Sequence, residues 1–311
     1  MIRAALDAQG LRIGIDLGGS KIEGVLMQSD ASEFVRYRVP TPREDYERTI
    51  AAIVDLKNRL LQGIAVDAKI GVAAPGSISP ATRLMQNANS TWLNGRPLGL
   101  DLASAMGRPV QVANDANCFA LSEAIDGAAR GARVVFGVIL GTGCGGGLVI
   151  GGRLVNGPRA ISGEWGHNPL PWAKPDEYIG PACWCGRTGC LETWLSGPGV
   201  AADHTRLTGE TYTTLEIADR AKDGNRAARA TLARHADRLA RGLAHVVNIL
   251  DPDVIVLGGG LSQLPHLYEL LPKLMSPHIF ADKASVVVKG PKWGDASGVR
   301  GAARLWDGVL D

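Results

Sequence analysis

Short apolar runs bounded by polar or glycine-containing turns alternate along this chain with stretches whose apolar residues return every three or four positions. Leu11 to Ile15 reads as a first strand ending at Asp16, and Glu23 to Met27 as its hairpin partner. From Tyr46 to Leu61 the apolar residues Ile50, Ile53, Val54 and Leu60 fit an amphipathic helix. Lys69 to Val72 and Val110 to Val112 read as short buried strands, and Val134 to Leu140 as a longer one on which Gly147 to Ile150 can fold back. A long helix over Arg226 to Leu250 precedes a strand apolar on both faces, Val254 to Leu257. Ser285 to Val288 reads as a late strand and Ser297 to Trp306 as a closing helix. Strand–helix alternation with a hairpin opening each half predicts two α/β domains. The expected division is an N-terminal domain over 1–115, completed by a C-terminal helix within 297–311, and a larger domain over 116–296.

Composition narrows the class of protein. The chain has 311 residues, 45% hydrophobic and 21% charged, which is the balance of a soluble globular protein long enough for two domains. A net charge of +2 gives no reason to expect a nucleic-acid or membrane partner. No apolar run approaches the ~20 residues needed to span a bilayer. With no secretory signal read, a cytoplasmic location and free thiols are expected.

Glycine changes the picture, because 40 of the 311 residues are glycine and many fall in clusters. Asp16-Leu17-Gly18-Gly19-Ser20-Lys21 follows the first strand, Gly141-Thr142-Gly143 follows Val134 to Leu140, and Gly258-Gly259-Gly260 follows Val254 to Leu257. In each case a buried strand delivers a turn whose N–H groups no side chain obstructs, the arrangement that cradles phosphate oxygens. None matches the Walker A or dinucleotide pattern, and each alone could be a tight hairpin turn. Three together, two with a hydroxyl at Ser20 or Thr142, point to a nucleotide.

One cluster suggests a metal. His167 in Gly163-Glu164-Trp165-Gly166-His167 is followed by Cys183, Cys185 and Cys190. One imidazole and three thiolates complete a tetrahedral Zn²⁺ set with no open position, so such a zinc would be structural. Glycines at 186 and 189 allow the tight turns a metal loop needs. The competing reading is a fortuitous cluster of free thiols, since Cys-x-Cys is not the usual knuckle spacing. If zinc is bound, the clamped loop fixes where Glu164 and Glu192 point.

Together with Asn114-Asp115, these segments resemble the ROK family of sugar kinases and sugar-responsive repressors. The likeness runs through the chain to Gly294-Asp295 and Gly298 to Gly301, and is nearest to the bacterial mannose/fructose kinase branch. The resemblance implies an actin-like ATPase fold: two ribonuclease-H-like α/β domains, with ATP and sugar meeting in the interdomain cleft. Ser20 stands where threonine is usual, and it keeps the hydroxyl. A homodimer is also implied.

The resemblance assigns roles that residue type alone leaves open. Asp115 could simply cap a helix; the family likeness makes it the catalytic base. Asp16, otherwise a turn residue, would help hold Mg²⁺ near the transferring phosphate. Asn114, Asp115, Glu164, His167 and Glu192 would line the sugar pocket, with His167 giving one ring nitrogen to zinc and the other to a sugar hydroxyl. Gly76 and Asn89 are weaker sugar-site candidates that also read as parts of a polar surface loop.

The expected activity is therefore an ATP-dependent hexose kinase acting on the 6-hydroxyl of fructose, with mannose or glucose as secondary substrates. N-acetylglucosamine kinase and glucokinase are the alternatives within the family. A sugar-binding repressor is the reading from another class; repressors carry a helix-turn-helix ahead of the sugar domain, and only Met1 to Gly10 precede the first strand here. Asn87 to Gly95 and His167 to Trp172 resemble the fructokinase branch, whereas Asn117 to Leu121 is also similar to N-acetylglucosamine kinases.

Overall fold

The computed structural model describes residues 10–64, 67–307 and 309–310. The chain forms two compact units, the first from 1–130, 147–162 and 295–311, the second from 131–146 and 163–294. Residues 116–130 and 147–162 thus belong with the first unit, where the sequence pattern assigned them to the second.

The first unit is built on a five-stranded sheet in the order β3-β2-β1-β4-β7. Its strands are β1 (Arg12–Leu17), β2 (Lys21–Met27), β3 (Glu33–Pro40), β4 (Lys69–Ala74) and β7 (Val110–Asn114). The hairpins β1–β2 and β2–β3 are antiparallel, and β1, β4 and β7 run parallel. A small ribbon, β5 (Ser77–Ile78) with β6 (Met85–Gln86), follows β4. Helix α1 (Tyr46–Leu60) starts at Asp45, whose carboxylate accepts the Arg48 N–H, and buries Ile50, Ile53, Leu56 and Leu60 against the sheet's core. Helices α2 (Leu98–Met106) and α3 (Asp115–Ile125) flank β7 in sequence. The closing helix α9 (Ser297–Arg304) lies directly on β1 and β4. A Cβ at Gly14 or Gly71 would run into the backbone carbonyls of Val299 or Ala302, so only glycine permits that approach. Strand β3, absent from the pattern reading, is an edge strand whose Arg36 and Arg38 neutralise the buried Glu23 of β2 at 2.6 and 2.7 Å.

The second unit carries the parallel strands β12 (Val288–Lys289), β11 (Val254–Gly258) and β8 (Val134–Leu140), in that order. The turn 141–143 leads into β9 (Cys144–Ile150), which passes into the first unit and pairs there with β10 (Arg153–Val155). Of the predicted strand Ser285 to Val288, only Val288 pairs, opposite Ile255. Short helix α4 (Glu192–Leu195) is followed by α5 (Gly197–Thr208), α6 (Thr214–Lys222) and α7 (Arg226–Leu250). Helix α7 begins at Asn225, whose side chain accepts the Ala228 N–H at 2.9 Å, and its apolar stripe runs through the unit's core. Helix α8 (His266–Met275) packs against α7 and β12. No helix among the described residues is long and apolar enough to cross a membrane.

Candidate active site

In the first unit the predicted residues gather at the carboxyl ends of the parallel strands, where open α/β sheets place their ligands. Asp16, next to last in β1, stands opposite Ala73 of β4, and Ala74 stands opposite Asn114, the last residue of β7. Asn114, not Asp115, caps α3: its Oδ1 accepts the Ala116 N–H at 2.9 Å, while its Nδ2 donates to the Gly76 carbonyl at 3.2 Å. Gly76 has φ +74°, and a Cβ there would strike the Gln86 carbonyl, so that turn requires glycine. Asp115 is the first helical residue, with Oδ1 accepting the Ala116 N–H at 2.8 Å.

The electrostatics of these carboxylates suit a cation and a base. Burial pushes the Asp115 pKa up, and hydrogen bonds from Ala116 and Asn114 oppose the rise. Asp16 is raised to about 7, first by burial, then by the negative charges of Asp115 and Glu23, with Lys21 pulling the other way. A divalent cation at Asp16 would relieve that repulsion. The Asp16 carboxylate also lies against the first turn of α9, 2.9 Å from where a Cβ at Gly298 would sit.

The turn between β1 and β2 is held from behind. Thr41 donates from Oγ1 to the Gly18 carbonyl at 2.7 Å and from its N–H to that of Ser20 at 3.1 Å, and Arg43 Nε donates to Gly19 at 2.8 Å. Gly19, Ser20 and Lys21 remain exposed. Asn89 is exposed in a loop pinned at Ala88 by both side-chain atoms of Asn94.

A cavity of about 230 Å³ opens beside Asn114, lined also by Ser77, Val112, Asn117 and Asn156. Asn117 is only 6% exposed, and its Oδ1 finds no hydrogen-bond partner among the described residues. Ser77, Asn117 and Asn156 did not stand out in the sequence as site residues; they come from three separate segments with no shared local signal.

In the second unit, Glu164 and His167 bracket a buried Trp-Gly pair. Trp165 donates from Nε1 to the Gly145 carbonyl at 3.0 Å and meets Phe136 edge-on at 5.9 Å. Gly166 presses on the Cys144 carbonyl with no room for a Cβ. His167, Cys183, Cys185 and Cys190 converge, with one donor atom from each within 4.8 Å of the others. His167 Nδ1 faces Cys183 Sγ at 3.6 Å, and Cys185 Sγ faces Cys190 Sγ at 3.6 Å. Gly186 and Gly189, at φ +87° and +70°, turn the loop around this set. One imidazole nitrogen and three sulfurs would suit a structural Zn²⁺, with Nδ1 the ring atom that faces Cys183.

Glu192 opens α4 and links this loop to the second glycine turn. Its Oε1 accepts from Trp184 Nε1 at 2.6 Å, and its Oε2 accepts from the Cys144 N–H at 3.0 Å. The turn 141–143 is held by the Gly197 N–H on the Gly141 carbonyl at 2.8 Å, at the start of α5. Because β8 and β11 are parallel neighbours, the turns 141–143 and 258–260 lie side by side. Gly259, at φ +77°, packs against Leu140 too closely for any side chain.

The family model described as the ROK family matches residues 12–309. N-acetyl-D-glucosamine kinase of Haemophilus influenzae is 38% identical over 301 residues, covering 94% of this chain and 98% of that protein. Among solved structures, the ROK hexokinase from Thermus thermophilus is 32% identical with a TM-score of 0.83, covering 94% of this chain and 96% of that one. A ROK glucokinase from Streptomyces griseus, solved with glucose and AMPPNP, is 27% identical with a TM-score of 0.74 and covers 95% and 99%. The chain belongs to the ROK family, as a sugar kinase with the expected actin-like α/β fold. The expectation of fructokinase does not carry over to these relatives: those at 36–38% identity are named N-acetylglucosamine kinases.

Proposed function

We propose that the protein transfers the γ-phosphoryl group of ATP to the 6-hydroxyl of a hexose, with Asp115 as the base. The observation that carries this reading is the placement of Asp16 near the end of β1 and of Asp115 directly after β7, two buried carboxylates of raised pKa, with the charge of Asp115 among the causes of the Asp16 rise. Asp115 takes the hydroxyl proton as the sugar oxygen bonds to the γ-phosphorus, and the bond to the ADP oxygen breaks. A raised pKa makes a carboxylate a better proton acceptor in that step. Asp16 would hold Mg²⁺, which when bound neutralises phosphate charge. The turns at 18–21, 141–143 and 258–260 would bind the nucleotide. Asn114, Gly76, Asn89, Glu164, His167 and Glu192 would recognise the sugar. His167, Cys183, Cys185 and Cys190 would hold a structural zinc. The family likeness supports a homodimer.

N-acetylglucosamine is the acceptor that the named relatives support, in place of fructose as the leading expectation. Fructose remains the second reading, because Asn87 to Gly95 and His167 to Trp172 resemble the fructokinase branch. The test is purified protein with MgATP against N-acetylglucosamine, fructose, glucose and mannose, scored by kcat/KM and by the position of the new phosphate. At least about tenfold preference for one sugar, worth ~1.4 kcal/mol, decides between the two acceptors. No phosphorylation of any of the four would overturn the kinase reading itself.

A further inference from the structure

Sixteen positions separate His167 from Cys183, and the middle of that excursion is fastened to the spine of the second unit. Arg241 of α7 donates from Nη1 to the carbonyls of Pro171 and Trp172, at 3.1 and 2.9 Å. Its Nη2 reaches Glu177 Oε1 at 2.8 Å, and Arg238 Nε, one turn earlier, reaches the same oxygen at 2.8 Å. The second oxygen of Glu177 accepts the Lys174 N–H at 2.9 Å, closing the excursion on itself. Arg238 also pairs with Asp203 at 3.0 Å, and its guanidinium lies 4.3 Å from the ring centre of Trp194, within the helix that Glu192 opens.

All three central side chains are nearly inaccessible: Arg238 and Arg241 are each 1% exposed and Glu177 is 6% exposed. Burial alone would raise the Glu177 pKa, but the bonds from Arg241, Lys174 and Arg238 outweigh it and bring it to about 2. Such a cluster is an expensive way to fill a core. Arg238 Nη2 and Arg241 Nε find no partner among the described residues, and buried ion pairs are often no more stable than apolar side chains of equal volume. What an apolar replacement would lose is direction, since only donors at fixed angles can hold the 171 and 172 carbonyls.

We propose that Arg241 and Arg238, acting through Glu177, are positioning residues that hold His167 in register with the three cysteines and α4 in place beneath them. The proposal rests on the zinc reading of that cluster, and its sugar readout on the kinase reading. Outer groups that orient metal ligands typically carry 10–100-fold in metal affinity, although none of these three touches a ligand atom.

The experiment compares the purified zinc-loaded protein with Arg241→Met and with the double variant Glu177→Gln/Arg241→Met. Zinc release to excess chelator, melting temperature and the separate KM values for sugar and ATP are measured. The double variant removes one positive and one negative charge together, so it is expected to recover much of the melting temperature lost in Arg241→Met. It still lacks the tie to residues 171 and 172, so zinc release is expected to stay about tenfold or more faster than in the unaltered protein. The sugar KM should rise severalfold, with the ATP KM within about twofold. Zinc release that recovers together with melting temperature would overturn the proposal, as would a purified protein holding no zinc. Since release is read without turnover, a failed kinase reading leaves that result intact.

Discussion

Glu192 and Cys144 are joined by a 3.0 Å hydrogen bond from the Cys144 N–H to Glu192 Oε2, which fastens the second glycine turn to the cysteine loop. The other oxygen of the same carboxylate holds Trp184 at 2.6 Å. In Glu192→Gln the amide keeps one acceptor oxygen and turns its other end into a donor, so one of these two N–H groups meets another donor. Loss of a hydrogen bond to a charged group costs about 1.5–3 kcal/mol. Chemical denaturation should show a loss of that size, with a higher sugar KM. Unchanged stability together with unchanged KM would mean that the link is incidental.

Asp115→Asn keeps the size of the side chain and an oxygen for the Ala116 N–H, but removes the proton acceptor. Sugar affinity, measured by calorimetry, should survive within a few fold. The kcat should fall by about 10²-fold or more, the usual worth of a positioned base. Turnover near the original rate would reduce Asp115 to a helix-start residue.

Asp16 makes a prediction about pH. Its folded pKa of about 7 lies above the ordinary 3.8, so the folded state holds this proton more tightly than the unfolded chain does. Its contribution to stability is complete below about pH 4 and is lost as pH rises through about 7. A divalent cation bound there displaces the proton, so Mg²⁺ should bind more tightly as pH rises toward and past 7. Titrations at pH 6 and pH 8 that give equal Mg²⁺ affinity would remove Asp16 from the metal site. Asp16→Asn should flatten the dependence.

Gly166→Ala tests the seat of the Glu164–His167 segment. The added methyl would collide with the Cys144 carbonyl, which is backbone and cannot rotate away. Overpacking of this kind costs about 1–3 kcal/mol. A correspondingly lower melting temperature is expected, and so is weaker zinc retention, because His167 sits on the next residue.

The parts of the fold written in local periodicity could be read from the sequence alone. Val134 to Leu140 and Arg226 to Leu250 are a strand and a helix over the predicted residues. Strand β3 was missed because its arginines look like solvent contacts until Glu23, on the neighbouring strand, is known to be their partner. The pairing of Arg238 and Arg241 with Glu177 has no local signal either, because that partner is 61 and 64 residues away. The glycine turns and the His–Cys set were legible because a close backbone approach or a metal demands particular residue types at short spacing. The cavity beside Asn114 was not, since Ser77, Asn117 and Asn156 meet only after the chain has folded.

Helix α9 has a further consequence, one of timing. The sheet of the first unit begins with Arg12, yet the helix that fits over Gly14 and Gly71 starts only at Ser297. During synthesis, domains close as units once their residues are available. The bare faces of those two strands must therefore wait until the residues of α9 have left the ribosome. A message cut short anywhere before Ser297 yields a sheet that has lost its lid, so residues 297–304 decide whether the strands carrying Gly14 and Gly71 are ever covered.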